Sequence, residues 1–116
     1  MEINVDIQYT ETFEQATNNI VIYLSPHSTE LNVIHRLDKL IEKFESRVST
    51  SPQSCPVSGQ LLEIGVTRFR EFNSDGFRIL YRIIETDKKQ IIECGYILTQ
   101  KQDIQKALTD HCLLYK

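Results

Sequence analysis

The chain has 116 residues, enough for one hydrophobic core and too few for two. Its composition, 41% hydrophobic and 25% charged, excludes a disordered tract, and no apolar run approaches the roughly 20 residues that span a bilayer. A net charge of -3 excludes a uniformly basic surface of the kind that grips nucleic acid, so any basic patch must be local.

Residues 3–9, INVDIQY, alternate Ile3, Val5, Ile7 and Tyr9 with polar positions, which predicts a half-buried strand. Thr10 can cap the helix that follows. Phe13, Ala16, Ile20 and Leu24 recur every three or four residues along it, and Pro26 stops it. A second helix restarts at HSTE, with Ser28 or Thr29 as cap and Glu30 in its first turn. Its expected apolar stripe is Leu31, Ile34, Leu37, Ile41, Phe44 and Val48, with His35 beside the stripe. The two helices read as a hairpin.

The stretch 49–59, STSPQSCPVSG, is a loop leading from helices to sheet. Leu61 to Phe72 then predicts one extended run, broken near Gly65. Asn73 to Gly76, NSDG, is a hairpin turn, because Asp-Gly tolerates positive φ. FRILYRII, residues 77–84, is apolar on both faces and predicts a central strand. TDKKQ turns into a third strand of the meander, IIECGYIL, residues 91–98. Thr99 and Gln102 fit a capping box that opens a short C-terminal helix, and the apolar tail HCLLYK suits a core or a partner. The expected class is therefore α+β: a strand and a helical hairpin packed on an antiparallel sheet of about four strands.

The cysteines (Cys55, Cys94, Cys112) and histidines (His27, His35, His111) fall at no zinc-ligand spacing, so no metal or cofactor is expected and the thiols are expected free. MEINVDIQYT has no basic n-region and does not read as a signal peptide, so a cytosolic chain is expected.

Four arginines, Arg68, Arg70, Arg78 and Arg82, thread through the central hairpin. This interleaving suits either a solvated basic face or a contact surface. Arg68 and Arg70 are expected on one face of a strand. For Arg78 and Arg82, carboxylate partners such as Glu71 or Glu93 are as consistent with the pattern as exposure.

The order of elements, with G-F-R-I-L-Y-R-I at 76–83 and I-L-T-Q-K-Q-D-I-Q-K-A-L at 97–108, resembles the RelE/ParE superfamily of toxins from type II toxin–antitoxin modules. The likeness covers nearly the whole chain as a single domain, 1–116. It implies one of two activities: a RelE-like ribosome-dependent mRNA endoribonuclease, or a ParE-like protein that blocks DNA gyrase and catalyses nothing itself. A nuclease of this kind needs a basic cluster, here Arg68, Arg70, Arg78 and Lys101, with a group that moves protons. The helix after the last strand has no aromatic residue in its body, and Tyr115 comes too late to serve there. The 97–103 frame keeps Asp103 as in ParE-like chains but carries Thr99 where those carry histidine. The resemblance thus favours the ParE-like branch, with no catalytic residues and target-binding candidates Arg68, Arg70, Arg78, Lys101, Tyr96, Leu113, Leu114 and Tyr115. It also implies a cognate antitoxin as partner, in a toxin–antitoxin hetero-oligomer. That antitoxin's disordered segment would dock between hairpin and sheet, where Val21, Val33 and Leu40 flank the expected stripes. A homologue with another target, or none, is the third reading.

Overall fold

The computed structural model describes residues 4–63 and 65–100. Strand β1 (Asn4–Tyr9) ends at Thr10, which does two things at once. Its hydroxyl accepts the Phe13 amide at 3.1 Å and so caps helix α1 (Glu11–Leu24). The same hydroxyl lies 3.1 and 3.2 Å from the carbonyl oxygens of Cys94 and Gly95, and the Thr10 amide donates to Cys94 at 3.1 Å. Helix and sheet are thus joined at one residue.

Pro26 sits in a single 3-10 turn, Ser25–His27, that closes α1. Thr29 is the cap of helix α2 (Glu30–Thr50), accepting the Asn32 amide at 3.1 Å. Its buried stripe is Val33, Leu37, Leu40, Phe44 and Val48. The expected stripe was rotated: Leu31 is 79% exposed and Ile34 37%, whereas Val33 and Leu40 are fully buried. Both phases share Leu37, Phe44 and Val48, and the sheet selects the one that meets it. Val33 and Leu40 are therefore core residues, not the lining of an open groove.

The sheet has the order β1-β4-β3-β2, with β2 at Arg70–Ser74, β3 at Phe77–Glu85 and β4 at Lys89–Thr99. The meander β2-β3-β4 is antiparallel, and β1 joins it in parallel beside β4, so the sheet is mixed and the class α+β. The β2–β3 turn is Asp75-Gly76, both at positive φ (53° and 85°), between the paired residues Ser74 and Phe77. Gly95 is the extra residue of a bulge in β4, because Leu80 pairs with Tyr96 and Tyr81 with Cys94.

The extended run expected from Leu61 to Phe72 does not form. Residues 59–63 make a short helix, α3 (Gly59–Glu63), and the strand begins only at Arg70. Gln60, Leu61, Leu62 and Glu63 are good helix formers. Gly65 follows at φ 83°, with Gly65 N bonded to Leu62 O and Val66 N to Leu61 O, the bond pair of a Schellman stop.

Both faces of the sheet are covered. On one, Phe44 of α2 meets Phe72 and Tyr81 edge-on at 5.5 and 5.4 Å between ring centroids. On the other, Phe69 packs against Gly95 so closely that an added Cβ there would sit 3.3 Å from its ring. The C-terminal helix expected after Thr99 lies outside the described residues.

Gly76→Ala forces a side chain into a left-handed position and is expected to cost about 1 kcal/mol; urea titration followed by circular dichroism measures it.

Candidate partner-docking site

Alternation along the β2–β3 pair decides where the arginines point. Arg70 lies opposite Tyr81 and so faces the helices, whereas Arg78 lies opposite Asn73 and faces the other way. They do not converge. Arg70 donates to the carbonyl oxygens of Cys55 and Gln53 at 2.6 and 3.2 Å, tying down the loop after α2. Arg78 is 8% exposed. Its guanidinium donates to Gln60 Oε1 at 2.8 Å and lies 3.4 Å from the carbonyl oxygens of Thr99 and Gln100. It therefore joins α3 to the end of β4. The expectation of Arg78 on an open contact face is corrected by this burial.

Arg68 precedes the strand instead of alternating with Arg70 along it, and its guanidinium stacks on Phe69 at 5.2 Å. Arg82 pairs with Glu93, its cross-strand neighbour, at 2.9 Å. Tyr96 is buried and lines the cleft described next. Lys101, Leu113, Leu114 and Tyr115 lie outside the described residues.

Beneath the α1–α2 turn, between the end of α1 and the hairpin end of the sheet, is a cleft of about 880 Å³. Its floor is apolar and belongs to the core: Ala16, Ile20, Phe77 and Ile97. Its rim is polar and aromatic: Asn19, Tyr23, His27 and Arg36, all exposed. Tyr23 and His27 touch edge-on at 6.4 Å, one turn apart on the helix end. Arg36 lies over the Phe77 ring at 5.2 Å, so the guanidinium roofs one side of the cleft. Four of the five large apolar side chains exposed among the described residues (Ile22, Tyr23, Leu31 and Ile34) belong to this end of the hairpin. None of these rim or exposed residues was singled out as a site from sequence. The available signal was Leu31 and Ile34, which a correctly phased stripe leaves facing solvent.

The titratable groups inside the fold are structural. Burial, helped by a 2.6 Å hydrogen bond to Glu45, raises the Tyr9 phenol far above its ordinary range. Burial also raises Tyr81, whose hydroxyl donates to Pro52 O at 2.8 Å, and the Cys94 thiol. Each phenol donates to a protein acceptor, so neither Tyr9 nor Tyr81 presents a proton to a substrate. At the rim of the hairpin, Lys43 at 2.9 Å lowers the Asp75 carboxyl. No group of three metal-ligating side chains occurs among the described residues, and no described helix is long and apolar enough to cross a membrane.

Comparison with protein-family profiles and with curated proteins finds no match to the chain.

Two outcomes are expected. Arg78→Gln removes the charged donor shared by Gln60 and the end of β4 and should cost about 2 kcal/mol by urea titration. Stability should also fall in alkali, since groups held protonated in the folded chain ionise freely on unfolding. The sign follows from their raised folded values. Stability is complete below the unfolded values, about 8.5 for cysteine and about 10 for tyrosine, and declines as pH rises past them. Urea midpoints taken from neutral to alkaline pH should begin to drop near pH 8.5, and Cys94→Ala should move that onset toward 10.

Proposed function

We propose that the chain is the toxin of a type II toxin–antitoxin module of the ParE-like branch, which blocks DNA gyrase by protein–protein contact and is neutralised by a cognate antitoxin. The observation that carries the choice of branch is the fate of the arginines. A nuclease must gather cations around one scissile phosphate. Here Arg70 and Arg78 face opposite sides of the sheet, and each is spent on main-chain carbonyl oxygens. Arg82 is neutralised by Glu93.

A blocking protein needs something else: a rigid scaffold that presents anchors. Aromatic and arginine side chains are the preferred anchors of protein contacts. Exposed Tyr23 and Arg36 stand on the packed helical hairpin, with Ile22 and Leu31 exposed nearby in the sequence. This surface replaces the arginine hairpin as the place to look for partner contacts. The order of one strand, two helices and an antiparallel meander is compatible with the superfamily that the sequence resembles.

Purified chain added to gyrase should inhibit supercoiling and accumulate cleaved DNA, while ribosome-bound transcripts stay whole by primer extension. Gyrase that supercoils normally at every toxin concentration would remove this reading, and codon-phased cuts would install the ribonuclease in its place.

A further inference from the structure

We propose that the cleft beneath the α1–α2 turn is a small-molecule site for a hydrophobic monocarboxylate, with the carboxylate on Arg36 and the apolar body on the cleft floor. The proposal goes beyond the toxin reading and does not depend on it, because its chemistry comes from the cleft alone.

Size and enclosure set the kind of ligand. The volume, about 880 Å³, lies within the roughly 300–1,000 Å³ of small-molecule sites, which combine a mostly apolar wall with a few polar groups. Here the apolar wall includes Ile20, Phe77 and Ile97, all core residues. Gly76 and Gln100 also line the cleft, and the Gln100 amide donates to the Gly76 carbonyl oxygen at 3.0 Å. Main chain thus closes that side, which suits a ligand that ends inside the cleft better than a segment that runs through it.

The charge of the lining sets the head group. The described lining holds one arginine and no aspartate, glutamate or lysine. The other basic residues of α2, Lys39, Lys43 and Arg47, lie outside it. A single guanidinium calls for a single anionic head, not for charges repeated along a chain. The carboxyl at the adjoining turn, Asp75, is lowered by Lys43 at 2.9 Å, then by Ser74 at 3.0 Å, and Arg36 adds to this without an ion-pair contact. Asp75 therefore does not bond the Arg36 guanidinium.

The stacking of Arg36 sets the pose. Its guanidinium lies over the Phe77 ring at 5.2 Å. A guanidinium stacked by its face keeps its in-plane N–H donors, which take the two oxygens of a carboxylate side by side. A carboxylate held there has Phe77 beside it for the first carbons of the body, and Ile20 and Ile97 for the rest. Tyr23 and His27, in edge contact at 6.4 Å, add an aromatic wall at the rim. An uncharged ligand would cover Arg36 without a counter-charge, and an inorganic anion would leave the floor in water. Ile22 and Leu31 lie outside the lining, so the site leaves them to a protein contact.

The test is an amide NMR titration of the full chain at neutral pH with octanoate, octanamide and octylammonium, which share a tail and differ in the head. Octanoate should bind with a Kd of about 1 mM or tighter, shift the amides of Ile20, Phe77 and Ile97, and rank above the other two. Shortening octanoate to hexanoate should weaken binding about three- to fourfold for each methylene lost. Arg36→Gln should weaken octanoate about three- to tenfold and leave octanamide unchanged. The unchanged octanamide affinity separates this loss from misfolding. Lys39→Gln, outside the lining, should change neither. Equal affinities for the three heads, no dependence on tail length, or indifference of octanoate to Arg36→Gln would overturn the proposal. So would shifts confined to other parts of the chain, or no binding at about 10 mM octanoate, the result expected if residues 101–116 fill the cleft. The titration contains no gyrase and the gyrase assay no fatty acid, so failure of either leaves the other reading intact.

Discussion

The fold turns on one constraint: β3 and β4 are apolar on both faces, so both faces must be covered. Phe77, Ile79, Leu80 and Tyr81 are all buried in succession, and so are Tyr96, Ile97 and Leu98. The helical hairpin covers one face through Phe44, Val48 and Leu37. The segment from Gly59 to Phe69 covers the other, with Leu61 fully buried and Phe69 seated on Gly95. A segment that short has little side-chain volume to bury. It is held by hydrogen bonds instead: Ser58 to Glu71, Arg78 to Gln60, and the Ser58 amide to Phe69. Of the sheet arginines, Arg78 serves this segment, while Arg70 ties the loop after α2 and Arg82 pairs with Glu93.

That constraint decides what the arginines do. A basic hairpin in a half-solvated sheet is a contact surface, but the same hairpin between two layers is a fastener. Arg70 donates to the carbonyl oxygen of buried Cys55, and Arg78 donates to Gln60 Oε1 and lies 3.4 Å from the Thr99 carbonyl oxygen. The open cleft lies where the layers run out, at the end of the sheet under the α1–α2 turn. There the core ends in an apolar floor and the helices end in Tyr23, His27 and Arg36.

The sequence was legible where local chemistry acts alone. Thr10 and Thr29 cap the helices, Pro26 ends the first, and Asp75-Gly76 makes the turn, each by a rule that needs no distant partner. The Arg82–Glu93 pair was also foreseeable, since it is a cross-strand neighbour pair. Legibility failed where a distant surface chooses. The apolar residues of α2 allow two stripes, and only the sheet selects Val33 and Leu40 over Leu31 and Ile34. Likewise, Leu61 to Phe72 reads as strand because it is apolar, yet Gly65 at positive φ was a stop signal for a helix five residues long. The site was the least legible part. Its floor and rim come from four separate elements, and no spacing along the chain announces that Ile20, Arg36, Phe77 and Ile97 meet.

The parallel seam between β1 and β4 has a consequence for how the molecule is made. Asn4 aligns with Lys89 and Tyr9 with Cys94, so the first strand waits for nearly the last before it gains a partner. During synthesis, the N-terminal strand must leave the ribosome with its edge unsatisfied while more than 80 further residues are added. The hairpin of helices has local contacts and can form early, but the layer beneath it closes only at the end. A nascent chain interrupted before Lys89 would hold α1, α2, α3, the β2–β3 hairpin and an orphan β1, and none of the cleft floor contributed by Ile97.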